Sequence, residues 1–129
     1  MRAVLDASAV LAALLREPGR EVVAEALASG SIMCTYNLAE VATRYAQRGA
    51  SELELHGLTS IAGVELIAGD AALAVEAALI FRQLPRSGLS LGDRLCLALA
   101  RREGLPVLTG DRAWSRHAED LGVQVALIR

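Results

Sequence analysis

Four carboxylates stand out among the 15 acidic residues of this chain because of where they fall in the apolar pattern. Asp6 ends the first apolar run, Ala3-Val4-Leu5. Asp111 lies just past another, Pro106-Val107-Leu108-Thr109. Glu40 falls in the first turn of the helix expected after Ile32-Met33-Cys34, and Asp93 in the first turn of the helix that leads back to the Pro106 run. If those runs are parallel strands, the four acids gather at the carboxyl edge of one sheet, where such folds bind ligands. Carboxylates crowded into one crevice repel, so their pKa values rise or a cation fills the gap. An all-oxygen donor set without His or Cys selects a hard divalent ion, Mg²⁺ or Mn²⁺. With those four set aside, the 13 arginines outnumber the remaining acids. A slightly cationic surround about an acidic pit suits an anionic substrate whose phosphate completes the coordination of the ion.

Each acid also has a plain local reading. Asp93 follows Ser90, and Glu40 follows Asn37, at the spacing of a capping box, so Asn37 is expected to cap its helix. Asp6 and Asp111 can each be a helix N-cap. Capping accounts less well for Asp6, which interrupts an apolar stretch where an unpaired charge is costly. Ser8, two residues after Asp6, and Thr109, two before Asp111, are hydroxyls that can orient a carboxylate; Ser8 serves equally well as a turn hydroxyl. Glu40, Arg44 and Arg48 share a helix face at i, i+4, i+8. Arg112 and Arg116 are expected to do the same, and Arg94 adjoins Asp93. These arginines are either solvated, in ion pairs worth about 0.3–0.5 kcal/mol each, or phosphate contacts around the pit. Arg116 is assigned to the solvated face; Arg44, Arg94 and Arg112 stay open between the two. His56 and His117 have no partner in the sequence and read as surface or cap residues. Tyr36 and Trp114 are too few for a base-stacking platform.

The elements that must position these residues follow from the punctuation. Five short apolar runs read as strands: Ala3–Leu5, Ile32–Cys34, Val64–Ile67, Pro106–Thr109 and Val123–Ile128. Helices are expected from about Ala7 to Leu15, Arg20 to Ser29, Asn37 to Arg48, a capping box at Ser51–Glu54 onward, Asp70 to Leu84, and Ser90 to Glu103, with a short one after Asp111. Strands alternating with helices imply an α/β fold with a mostly parallel five-stranded sheet, covered on both faces because the strands are continuously apolar. Residues 71–84 are apolar on nearly every side, which fits either a central buried helix or one that buries a second face against a partner. The helix from Ala7 has the same look.

Composition excludes several chemistries. All 13 cationic side chains are arginine, so there is no Schiff-base amine, no phosphate-loop lysine and no Ser–Lys pair. Aromatics make up only 3% against 53% hydrophobic residues, so the core must be aliphatic. The formal charge of −2 supplies no global field toward nucleic acid. Cys34 and Cys96 lie too far apart for a zinc motif. No uncharged apolar run reaches the ~18 residues of a membrane span, and the first residues do not read as a cleaved leader. The expectation is one cytoplasmic domain over residues 1–129, with no membrane association.

Three segments together resemble one family: Val4-Leu5-Asp6-Ala7-Ser8-Ala9, Asn37-Leu38-Ala39-Glu40-Val41, and Leu89-Ser90-Leu91-Gly92-Asp93 with Thr109-Gly110-Asp111-Arg112. The order and spacing of Asp, Glu, Asp, Asp are similar to those of the PIN-domain nucleases, more narrowly the VapC-type ribonuclease toxins of toxin–antitoxin pairs. The resemblance implies a three-layer α/β/α sandwich with strand order 3-2-1-4-5. It implies a Mg²⁺- or Mn²⁺-dependent endoribonuclease that acts on RNA, forms homodimers and is blocked by a VapB-type antitoxin. Asp6, Glu40, Asp93 and Asp111 match the family's acidic quartet, and Ser8 and Thr109 its frequent hydroxyl positions. Cys34-Thr35-Tyr36 departs from the smaller residues usual before the Asn. The rival reading is a non-catalytic α/β interaction module whose acids are only helix caps.

Overall fold

The computed structural model describes all residues, Met1–Arg129. Five strands form one parallel sheet: β1 (Val4–Leu5), β2 (Ser31–Cys34), β3 (Val64–Ile67), β4 (Val107–Thr109) and β5 (Val125–Leu127), in the order β3-β2-β1-β4-β5. The register sets Val4 against Ile32 on one side and Val107 on the other, and Thr109 against Leu127. The three inner strands, β2, β1 and β4, are wholly buried, as expected of a sheet covered on both faces.

Alternation along the strands divides the core in two. Val4, Ile32, Cys34 and Val107 point to one side, where they meet α5 (Ala71–Gln83) and α6 (Leu91–Glu103). Ala3, Leu5, Met33 and Leu108 point to the other, where they meet α1 (Ala7–Leu14), α2 (Arg20–Ala28) and α3 (Thr35–Gln47). The result is the expected three layers. Trp114, from a 3-10 helix over Arg112–His117, plugs the first side and is 1% exposed. Two shorter α-helices, α4 (Glu52–Gly57) and α7 (Ala118–Leu121), complete the chain.

Several local expectations are met and two are corrected. Ser51 and Glu54 form a reciprocal capping box on α4, and Ser90 and Asp93 do the same on α6. Asn37, however, does not cap α3: that helix begins at Thr35 directly from β2, which leaves Asn37 inside its first turn and fully buried. The pairing of Arg112 with Arg116 on one face also fails. Their segment is a 3-10 helix, in which i and i+4 are rotated about 120° apart because a turn takes three residues.

The two uniformly apolar helices behave differently. α1 is central: Ala9, Val10 and Ala12 are buried, and Ala7, Leu11, Ala13 and Leu14 are half-buried in the same layer. α5 buries Leu73, Ala77 and Ile80 but leaves Val75 58% and Phe81 52% exposed. Its outer face is thus apolar surface.

Candidate functional site

The carboxyl ends of β1 and β4 lie side by side in the sheet, which brings Asp6 against Thr109. Asp6 sits at the N-cap position of α1 yet its side chain caps nothing. Instead its Oδ2 accepts from Ser8 Oγ at 2.8 Å and Thr109 Oγ1 at 2.9 Å. Each hydroxyl in turn accepts a backbone N–H: Gly110 donates to Ser8 at 2.9 Å and Asp111 to Thr109 at 3.0 Å. Two chains of amide to hydroxyl to carboxylate therefore converge on one oxygen, each bond polarising the next. Ser8 thus bonds Asp6 in its own turn and Gly110 across the sheet.

Burial dominates the electrostatics of Asp6. Removal from water pushes its carboxyl up from 3.8 to about 6, the two hydroxyls pull it back down, and the nearby negative charge of Asp93 pushes it up again. An ionised carboxylate here is costly until a cation or a proton offsets it. Beneath it, the buried Cys96 thiol is held well above its usual range, first by burial and then by the charges of Asp6, Asp93 and Glu40 among others. The charges of three of the four acids thus act on one buried thiol. The raised value leaves that thiol unreactive at neutral pH.

Glu40 is placed by packing between α3 and α6. Asn37 Nδ2 donates to Glu40 Oε1 at 2.7 Å and to the Gly92 carbonyl at 3.2 Å, bracketing the acid against the start of α6. Gly92 leaves room for that carboxyl as it stands: a Cβ at that position would lie 2.7–2.9 Å from the Glu40 carboxyl atoms. A glycine just inside a helix is a cost without a local reason, and that was the signal in the sequence that could have found it. Asn37 Oδ1 is buried and pairs with nothing.

Asp93 and Asp111 confirm their local reading and keep a second one open. Asp93 Oδ2 accepts from Ser90 N at 2.9 Å, and Asp111 Oδ1 from Ala113 N at 2.9 Å. Asp111 is linked to Asp6 through its backbone N–H and Thr109, while the Glu40 carboxyl lies against Gly92, the chain neighbour of Asp93. No three Asp, Glu, His or Cys side chains, as they stand, close tightly enough to hold an ion. The donor chemistry nonetheless fits a hard divalent cation. All four groups are carboxylates, Asp6 is desolvated and raised, and Asn37 leaves a buried oxygen without a donor.

The arginines separate. Arg94 turns onto α5, where Nη1 donates to the Ala77 carbonyl at 3.0 Å and the guanidinium lies 5.4 Å from the Phe81 ring centroid. It belongs to helix packing rather than to the carboxylates. Arg44 and Arg112 are exposed and form no ion pair; Glu40 bonds Asn37 instead of Arg44. One cation escaped the sequence reading. The Arg129 guanidinium lies so close to Gly110 that a Cβ there would sit 2.8 Å from Nη2, and its Nη1 donates to the Pro18 carbonyl at 2.9 Å. Nothing in the local sequence around either residue signals that approach.

The PIN domain profile matches residues 3–120. Ribonuclease VapC of Mycolicibacterium smegmatis is 36% identical over 115 residues, covering 81% of this chain and 88% of that protein. Among solved structures, DNA-bound VapBC from Salmonella typhimurium superposes with a TM-score of 0.77 at 18% identity, over 100% of this chain and 99% of the other. VapBC2 from Rickettsia felis, bound to a DNA fragment from its promoter, gives 0.73 at 16% identity over 98% of both. At such identities these two show a shared fold.

Proposed function

The chain belongs to the PIN domain family, and from that premise we propose that it is a Mg²⁺- or Mn²⁺-dependent endoribonuclease of the VapC toxin type. The observation that carries the proposal is Asp6: a buried carboxylate, raised to about 6, that caps no helix and is held by two hydroxyls at the sheet edge. RNA as substrate is inferred from the 36% identical relative, which is a ribonuclease.

Asp6, Glu40, Asp93 and Asp111 would hold the cation, which supplies Lewis-acid neutralisation of the phosphate for phosphodiester hydrolysis. Ser8 and Thr109 fix the Asp6 carboxylate in one orientation, as supporting groups around a metal site do. Asn37 would fix Oε1 of Glu40 and leave Oε2 for the cation. Arg44 and Arg112 are free to contact backbone phosphates.

The same reading extends to the whole chain. Residues 1–129 act as one domain in the cytoplasm; no helix of the structure is long and apolar enough to cross a membrane. The partners are a second copy of the chain and a VapB-type antitoxin, as in the VapBC complexes that share this fold. The exposed outer face of α5 is apolar surface that such assembly would cover.

Asp93 and Asp111 do cap helices, which is what a non-catalytic module would show. One assay separates the readings. The purified protein is incubated with single-stranded RNA in Mg²⁺ or Mn²⁺, with and without a chelator. Cleavage that the chelator abolishes is the expected result. Absence of cleavage in either metal, together with no metal-dependent rise in melting temperature, would leave only the module.

A further inference from the structure

One stripe of α3 leads from the acids into solvent. Tyr36, Ala39, Glu40, Thr43, Arg44 and Gln47 follow helical spacing, are all exposed, and line an open cleft of about 450 Å³. Tyr36 is 41% exposed, whereas the one tryptophan, Trp114, is buried. A large aromatic turned to water beside a catalytic carboxylate does nothing for the core. Arg44, one turn beyond Glu40 on the other side, forms no ion pair and no hydrogen bond through its side chain.

We propose that this stripe is a track for single-stranded RNA, with the Tyr36 ring stacking the base that flanks the cleaved phosphate and Arg44 taking a backbone phosphate on the opposite side of Glu40. The inference rests on the nuclease reading above and adds a specificity-determining residue to it. Spacing supports it. Tyr36, Glu40 and Arg44 recur at about 6 Å steps along one helix face, so a ring, a carboxylate and a guanidinium stand in line along the path of one strand. The unpaired bases of single-stranded RNA are what proteins capture on aromatic rings. The ring would supply affinity for a base, and the guanidinium affinity for charge.

The test measures binding of a short labelled single-stranded RNA in Mg²⁺, with Asp6→Asn as the uncut background. Tyr36→Ala is expected to weaken binding about tenfold or more, while Tyr36→Phe, which keeps the ring, binds within about twofold. Arg44→Ala is expected to reduce the slope of log affinity against log salt by about 0.7, and Tyr36→Ala to leave that slope unchanged. A single abasic nucleotide at the stacked position should weaken the Asp6→Asn parent and have no effect once Tyr36 is Ala. Equal RNA affinity for Tyr36→Ala and its parent would overturn the track even if the wild-type enzyme cuts RNA. A wild type that neither binds nor cuts RNA would remove the nuclease reading first, and the track with it.

Discussion

Asp6 and the pair Asp93 and Asp111 are carboxylates at the same sheet edge, yet the chain treats them oppositely. The two rim acids each accept a backbone N–H at the start of a helix, a bond worth about 1 kcal/mol to stability. Asp6 makes no side-chain N-cap bond to α1, is 7% exposed, and is raised to about 6 by burial. The rim acids stabilise the chain whatever else they do. Asp6 destabilises it when ionised; its hydrogen bonds offset part of that cost, and a bound cation or proton the rest. A carboxylate held at a cost to folding is the stronger indication of function.

The comparison can be broken most directly at Asp6. Asp6→Asn keeps the shape and removes the charge, so RNA cleavage should fall at least about 10³-fold while the far-ultraviolet spectrum stays that of the parent. Cleavage at the parent rate would mean that the buried charge is not the centre of the site. Asp6→Asn should also change stability, in a direction that depends on pH. The folded carboxyl holds its proton up to about 6 and the unfolded one only to about 3.8. Its contribution is therefore full below about pH 4 and is lost as pH climbs to about 6. In chelator, denaturant titrations of the wild type should lose about 3 kcal/mol across that window relative to Asp6→Asn. Parallel curves would show that Asp6 is better solvated than its burial implies.

The hydroxyl relay offers a smaller effect. Thr109→Val removes one donor to Asp6 and orphans the Asp111 N–H. Mn²⁺ affinity, read by titration calorimetry, should weaken about 10–100-fold. The smallest change separates activity from stability. Gly92→Ala places a methyl against the end of the Glu40 side chain, which can swing aside. The helix gains about 0.5–1 kcal/mol and loses part of the Asn37 bracket, so the melting temperature should barely move while cleavage drops about tenfold. Unchanged cleavage would show that Glu40 need not rest against α6.

Much of the molecule was legible beforehand. The five apolar runs became the five strands; for the inner ones, β1, β2 and β4, the reason is that a sheet covered on both faces demands buried residues throughout, whereas edge strand β3 tolerates the exposed Glu65. The capping boxes at Ser51 and Ser90 formed as their spacing required. The four acids were identifiable because each stood at the end of a run or in a first turn. Asn37 was misread because β2 passes into α3 without a linking residue, so the helix starts earlier than its strongest capping residue. Arg94 was ambiguous because its fate depends on Ala77 and Phe81, residues of another helix.

The sequence by itself thus determined the layer order of residues, the polarity of each element and the residue types available for chemistry, since these depend on periodicity and neighbours a few positions apart. Only the tertiary structure decided that Asp6 is desolvated, that Ser8 and Thr109 converge on one of its oxygens, that Glu40 rests on Gly92, and that Arg129 reaches Gly110. Those contacts join positions as far as 103 residues apart. Local propensity carries no record of such pairs; they exist because the parallel sheet sets β4 beside β1 and lays α6 across α3.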